Sequence, residues 1–263
     1  MYEFEFVKPA TVEAAIEALK DEDAQPLAGG QTLIPTLKQR LNMPSKLVSL
    51  KGITALQGVR EESGTLRIGA ATTHAEIARA TATLFPGLAS LAGRIGDPAV
   101  RNRGTIGGSI ANNDPSACYP AMLMAVRGSV ITNTREIPAE AYFQGMFDTA
   151  LEDGELVTAI SIPVPEASNY QKFEQPASRF PLCGVFVARF LDRVGVAVTG
   201  ASNDGVFAWA EAEQALATDF APAAVTALAA LDGEDMIDDL HGSGAYRAHL
   251  ASVLTRRAVE AMG

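Results

Sequence analysis

Apolar and polar positions along this chain switch between two periods. Val12, Ala15, Ile16 and Leu19 recur at helical spacing behind Thr11, which is placed to cap the helix. A short apolar run near Gln25–Ala28 reads as a strand, Gly29–Gly30 as a turn, and Leu33–Arg40 as the next helix. Leu47–Leu50 and Leu66–Ala71 read as strands. Thr73 and Glu76 have capping-box spacing ahead of a helix through Arg79, and Leu84–Arg94 predicts another. Periodicity then lapses from Gly96 to Pro115, a glycine- and asparagine-rich stretch. An irregular loop of that length in a compact domain points to function. Leu156–Pro165 predicts a strand closed by prolines, with a boundary just after it near Glu166–Asn169. Beyond lie a hairpin over Cys183–Leu191 and Val194–Thr199, a third strand over Val206–Ala210, and helices over Glu211–Ala217, Pro222–Leu231 and Tyr246–Met262. Strands followed by helices predict a small α+β domain.

Composition narrows the function. The 263 residues are 48% hydrophobic, enough for a sizeable core, and carry 31 acidic against 21 basic side chains, a net charge of −10. Such a surface repels phosphate backbones, so no nucleic-acid partner is expected. No apolar run is long enough for a membrane span. Met1 to Pro9 lacks the basic flank and apolar stretch of a signal peptide, and a cytoplasmic location is expected. Two cysteines, Cys118 and Cys183, are too few for an iron–sulfur cluster, and the three histidines have no zinc-site spacing. His74 reads as an ordinary residue near a helix start, His241 and His249 as packing or solvation, and Trp209 and Tyr246 as core. Between Val194 and Tyr246 there are nine acidic residues and no Lys or Arg, a solvated face.

Two loops have the chemistry to hold a pyrophosphate. The first, Leu27-Ala28-Gly29-Gly30-Gln31-Thr32-Leu33-Ile34, joins a strand to a helix, and its glycines let backbone amides approach an anion. The same glycines suit an ordinary strand-to-helix turn. The second, Arg101 to Ser109, repeats the pattern with Thr105, Ile106, Gly107, Gly108 and Ser109, and it suits a solvated turn equally well. Asn112, Asn113 and Asp114 follow as groups suited to ribose or adenine contacts. Neither glycine segment contains a lysine, so backbone donors would have to hold the diphosphate. There is no P-loop, no G-x-G-x-x-G after a strand, no G-x-S-x-G elbow and no H-E-x-x-H.

Together the two loops resemble those of the FAD-binding medium subunit of molybdenum hydroxylases, the carbon monoxide dehydrogenase and xanthine dehydrogenase family. The resemblance rests on Ala28-Gly29-Gly30-Gln31-Thr32-Leu33-Ile34-Pro35 and on Arg103-Gly104-Thr105-Ile106-Gly107-Gly108-Ser109-Ile110-Ala111-Asn112-Asn113-Asp114-Pro115. It continues through Tyr170-Gln171-Lys172-Phe173 and the stretch from Asp239 to Val259. It implies an α+β chain: a two-subdomain FAD-binding fold of the FAD-linked oxidase (PCMH-like) type over residues 1–167, with subdomains of about 1–53 and 54–167. A C-terminal flavoprotein domain over 168–263 would carry a three-stranded antiparallel sheet and helices. By the same resemblance, Leu27 to Ile34 and Thr105 to Ser109 wrap the diphosphate, Ile95 lies near the isoalloxazine, and Lys172 can approach it; Asn112 and Asp114, read from their own chemistry, are expected to contact the cofactor. Cys118 stands where many relatives have an acidic residue.

The function implied is electron transfer by non-covalently bound FAD. Electrons would arrive from [2Fe-2S] clusters on a small subunit, taken from substrate at a molybdopterin large subunit, and leave to a quinone, NAD or oxygen. A heterohexamer of two three-chain units is expected. A self-sufficient FAD-dependent oxidase is the alternative, and a binding module that has lost its cofactor is a third reading, which the intact glycines oppose. The sequence names neither the substrate nor the acceptor.

Overall fold

The computed structural model describes all residues, Met1 to Gly263. The chain opens with β1 (Glu5–Val7), α1 (Val12–Ala18), β2 (Ala24–Leu27), α2 (Leu33–Lys38) and β3 (Lys46–Ser49). The Thr11 hydroxyl caps α1 by accepting from the Ala14 amide at 3.2 Å. These strands pair in parallel in the order β1-β3-β2, over a small core of Ala15, Val48, Leu50 and Ile53.

A second unit follows: β4 (Val59–Glu62), β5 (Thr65–Gly69), α3 (His74–Ala80), α4 (Pro86–Gly93), α5 (Pro98–Arg101), α6 (Ile106–Asn112) and α7 (Cys118–Val126). Then come β6 (Ser129–Thr132), β7 (Glu136–Pro138), α8 (Ala139–Tyr142), the small hairpin β8 (Phe143–Gly145) and β9 (Asp148–Thr149), and β10 (Val157–Pro163). β10, the last of these strands in sequence, lies at the centre of an antiparallel sheet ordered β4-β5-β10-β6-β7. Its Thr158 carbonyl also accepts from the Ala70 amide at 2.9 Å, fastening the turn that follows β5.

The chain closes with an antiparallel sheet of β11 (Ala167–Lys172), β12 (Gly184–Arg189), β13 (Val194–Ser202) and β14 (Gly205–Ala208), then α9 (Ala210–Thr218), α10 (Pro222–Thr226) and α11 (Gly244–Glu260). Phe186, Ala188 and Ala197 face α7 and the main core, whereas Val185, Val187, Val196 and Val198 face α9 to α11. The sheet is thus covered on both sides, and every residue of β13 is buried. Cys118 belongs to the first core and Cys183 to the second; both are free thiols.

Several expectations are corrected. The C-terminal sheet has four strands, not three. The added one, β11, reads Ala-Ser-Asn-Tyr-Gln-Lys and has no apolar alternation; pairing with β12 from Ala167↔Arg189 to Lys172↔Gly184 makes it a strand. It starts at Ala167, within the segment expected as a boundary. The stretch from Gly96 to Pro115 is not wholly irregular. Asp97 and Thr105 cap α5 and α6; α5 is only four residues long, and the two glycines of α6 hid its helical period. The helix expected over Pro222–Leu231 ends at Thr226. Tyr246 is not core; it is 41% exposed and packs edge-on against Phe173.

Polar ties hold the last sheet to α7 and to α11. Thr199 Oγ1 donates to the carbonyls of Pro115 (2.9 Å) and Ala117 (2.8 Å), and the Gly200 amide donates to Pro115 (2.8 Å). Buried Arg247 of α11 donates to the carbonyls of Leu182 (2.7 Å) and Gly200 (2.6 Å) and to Asp239 Oδ1 (2.8 Å).

Candidate cofactor cavity

Both glycine loops end on one cavity of about 540 Å³, within the range usual for cofactor sites. Its walls are β2 and the loop into α2, the turn between β5 and α3, the segment from Ile95 to Asp114, the run from Leu151 to Val157, and Phe180. The parallel N-terminal sheet therefore forms one side and the five-stranded unit the other.

The first loop leaves β2 and turns into α2. None of the six amides from Ala28 to Leu33 donates a hydrogen bond within the chain. The Gln31 side chain turns back to the Gly29 carbonyl at 3.1 Å. A run of backbone donors without acceptors at a cavity wall suits an anionic ligand.

The second loop is built differently. The Ile106 amide donates to Thr72 O (3.2 Å), Gly107 to Ala70 O (2.9 Å) and Ser109 to Thr105 O (3.0 Å), while Gly108 donates to Thr105 Oγ1 (3.1 Å). The Thr105 amide alone among these has no acceptor in the chain. This loop offers the cavity the Thr105 amide and the Ser109 hydroxyl, and otherwise acts as a wall. The two loops touch: a Cβ on Gly29 would lie 2.3 Å from Arg103 O and 2.6 Å from Gly104 Cα.

Of the residues singled out in the sequence, Leu27, Ala28, Gly29, Gly30, Gln31, Thr32 and Leu33 lie on the wall, as do Ile95, Thr105, Gly107, Gly108, Ser109, Asn112 and Asp114. Three do not. Ile34 packs beneath Gly30, and Ile106 is fully buried in the main core. The Lys172 ammonium donates to the Arg94 carbonyl, one residue before Ile95, and stays off the wall. Asn113 turns away and holds the β8–β9 hairpin through Gly145 O (2.8 Å) and Asp148 O (2.7 Å). Cys118 is buried in the core, where desolvation pushes its thiol pKa up; only the preceding Ala117 reaches the cavity.

The wall also holds residues that the sequence reading passed over: the mutually bonded Gln25 and Asn42, and also His74, Glu155 and Phe180. His74 could have been found from the capping box, which puts the residue after Thr73 at the mouth of a strand-to-helix turn. Phe180 was legible as an aromatic in the polar, proline-containing stretch between β11 and β12. No signal marked Gln25, Asn42 or Glu155.

No Lys or Arg lines the cavity, and Asp114 and Glu155 are its two carboxylates. Burial raises the Asp114 pKa, against the Ser116 amide that its Oδ1 accepts from. Glu155 is turned to Arg135, whose guanidinium at 2.9 Å holds the carboxyl well below the usual range despite some desolvation. Thr134 Oγ1 and the Glu152 amide also donate to it. A carboxyl whose folded pKa is depressed contributes stability above its unfolded pKa, and that contribution fades as pH falls below about 4.3. Glu155→Gln is therefore expected to lower the melting temperature by several degrees at pH 7, with the gap to the wild type narrowing steadily as pH is lowered from about 4.3 and still open at about pH 3. A gap that stays constant with pH would contradict this account.

Comparison with known proteins places these features. Residues 2–165 match the family described as FAD binding domain in molybdopterin dehydrogenase. The chain is 35% identical to the carbon monoxide dehydrogenase medium chain of Afipia carboxidovorans, over 98% of this chain and 96% of that one. It is 32% identical to the nicotine 6-hydroxylase medium subunit of Paenarthrobacter nicotinovorans, over 98% and 96%. Among solved structures, reconstituted CO dehydrogenase from Oligotropha carboxidovorans superimposes with a TM-score of 0.91 at 32% identity, covering 99% of this chain and 98% of that one. Quinoline 2-oxidoreductase from Pseudomonas putida 86 gives 0.89 at 27% identity, covering 99% and 97%.

Proposed function

The chain belongs to the family of FAD binding domains in molybdopterin dehydrogenases, as an oxidoreductase subunit, and on that premise we propose that its cavity holds FAD non-covalently as the electron-transfer site of a molybdenum hydroxylase complex. The observation that carries this reading is the run of six amides, Ala28 to Leu33, without acceptors in the chain, on a cavity wall free of Lys and Arg. Backbone dipoles hold a diphosphate at roughly 1.5–3 kcal/mol per charge-assisted bond, with no cation needed. Asn112 and Asp114 supply polar contacts, and Ile95 and Phe180 supply apolar surface for a ring system. When bound, FAD supplies two-electron acceptance and onward delivery; the protein positions it and excludes water. The chain divides near residue 167 into the FAD-binding part, with its two subdomains, and the C-terminal domain.

Electrons come from an iron–sulfur small subunit supplied by a molybdopterin large subunit, and two such three-chain units form a heterohexamer. The assembly is cytoplasmic; no helix is long and apolar enough to cross a membrane. A self-sufficient oxidase is disfavoured, because the likeness to a medium chain runs over 96% of that chain's length. The purified chain should show flavin absorbance and yield FAD rather than FMN. Acid precipitation is expected to release all of it, since the cavity wall presents no cysteine and its one histidine is bonded to Tyr119. Flavin left in the pellet would contradict non-covalent binding.

A further inference from the structure

His74 opens α3, and its amide donates to the Gly104 carbonyl at 3.0 Å. The side chain is 4% exposed, yet it lies on the cavity wall. Its Nδ1 is 3.0 Å from the Tyr119 hydroxyl. Tyr119 is fully buried, and burial pushes its phenol well above the ordinary value, so it keeps its proton. The only acceptor that proton has in the chain is Nδ1, and leaving the buried hydroxyl unpaired would cost about 1–3 kcal/mol. Burial, with the Arg101 charge nearby, depresses the His74 pKa to about 4, so the ring is neutral at pH 7. A neutral imidazole that accepts at Nδ1 carries its hydrogen on Nε2. Nε2 has no partner in the chain and sits against Gly104, where a Cβ would come within 2.5 Å of it. Gly104 is also where Gly29 packs. The free donor thus stands where the two loops meet, on a wall that has no cationic side chain.

We infer that His74 is a cofactor-binding residue: its Nε2–H donates to the diphosphate of the bound dinucleotide, and Tyr119 fixes the tautomer that makes it a donor. This rests on the cavity holding FAD. The neutral ring adds a side-chain bond to the backbone donors of Ala28 to Leu33 without placing a charge in a desolvated wall. Gly104 is then a glycine because a side chain there would strike the ring.

The experiment compares FAD, ADP and riboflavin binding to the deflavinated full chain by calorimetry, in the wild type, His74→Leu and His74→Gln. ADP carries the diphosphate without the flavin, and riboflavin the reverse. His74→Leu is expected to weaken FAD and ADP by the same factor, about ten- to a hundredfold, and to leave riboflavin unchanged. His74→Gln, whose amide can reach the place of Nε2, should recover most of the loss. Nitrogen-15 spectra of the histidine-labelled, ligand-free chain should show His74 protonated at Nε2, and Tyr119→Phe should abolish that preference. Wild-type affinity for FAD and ADP in His74→Leu, a loss confined to riboflavin, or a proton on Nδ1 would each overturn the assignment. If the wild-type chain binds neither FAD nor ADP, the flavin reading itself fails.

Discussion

Replacing Gly29 with alanine is expected to abolish flavin retention. The added methyl carbon would sit 2.3 Å from the Arg103 carbonyl oxygen and 2.6 Å from Gly104 Cα, both backbone atoms that cannot swing aside. The two loops must separate, and the amides of Ala28 to Leu33 move with the first of them. Losing two charge-assisted bonds, at roughly 1.5–3 kcal/mol each, lowers affinity by at least a hundredfold. Gly64→Ala is the control. Gly64 has φ +80°, so alanine is strained there too, but its Cβ would meet nothing within 4 Å and it lies in the β4–β5 turn away from the cavity. FAD per chain after gel filtration, read with circular dichroism to verify folding, decides the matter. A folded Gly29→Ala protein with wild-type FAD content would remove the first loop from the site.

The second large effect concerns partners. Flavin in the isolated chain should not be reduced by aldehydes, purines or carbon monoxide, whereas the assembled complex should reduce it rapidly with one substrate class. No group of three or more His, Cys, Asp or Glu side chains in the chain could hold a metal ion, and Cys118 and Cys183 lie in separate cores on opposite sides of the C-terminal sheet. Around the cavity the titratable groups are Asp114, Glu155 tied to Arg135, and a neutral His74, none arranged as an acid–base pair. Stopped-flow reduction of the isolated chain at a rate matching the complex would show a complete active site here and overturn the division of labour.

Much of this was legible in the sequence, and the limits have physical causes. Thr11 and Thr73 cap helices where their spacing says they should, because a cap is a local interaction. The glycine loops announced a cavity wall for the same reason. What a loop's amides do is not local. Those of the second loop are taken up by Ala70 and Thr72, residues over 30 positions earlier, and only the fold reveals it. α7 escaped notice because eight of its nine residues are buried, so it shows no amphipathic period. β11 escaped because its polar residues become a strand only through β12. Lys172 was near its expected place in sequence but is held by the Arg94 carbonyl outside the cavity.

The central position of β10 bears on how the protein is made. On the ribosome, β5 and β6 emerge long before the strand that must lie between them. Until Pro163 has left the exit tunnel, both present unpaired edges, the kind of surface that aggregates or recruits chaperones. The Ala70 amide waits for the Thr158 carbonyl, and the Ala70 carbonyl is in turn the seat of Gly107. The second glycine loop therefore cannot settle while translation is still short of β10, and the cofactor can be loaded only once Pro163 has cleared the tunnel. Substitutions in Val157–Pro163 should accordingly be met by quality control in the cell, as low yield, rather than as a full-length protein that binds flavin weakly.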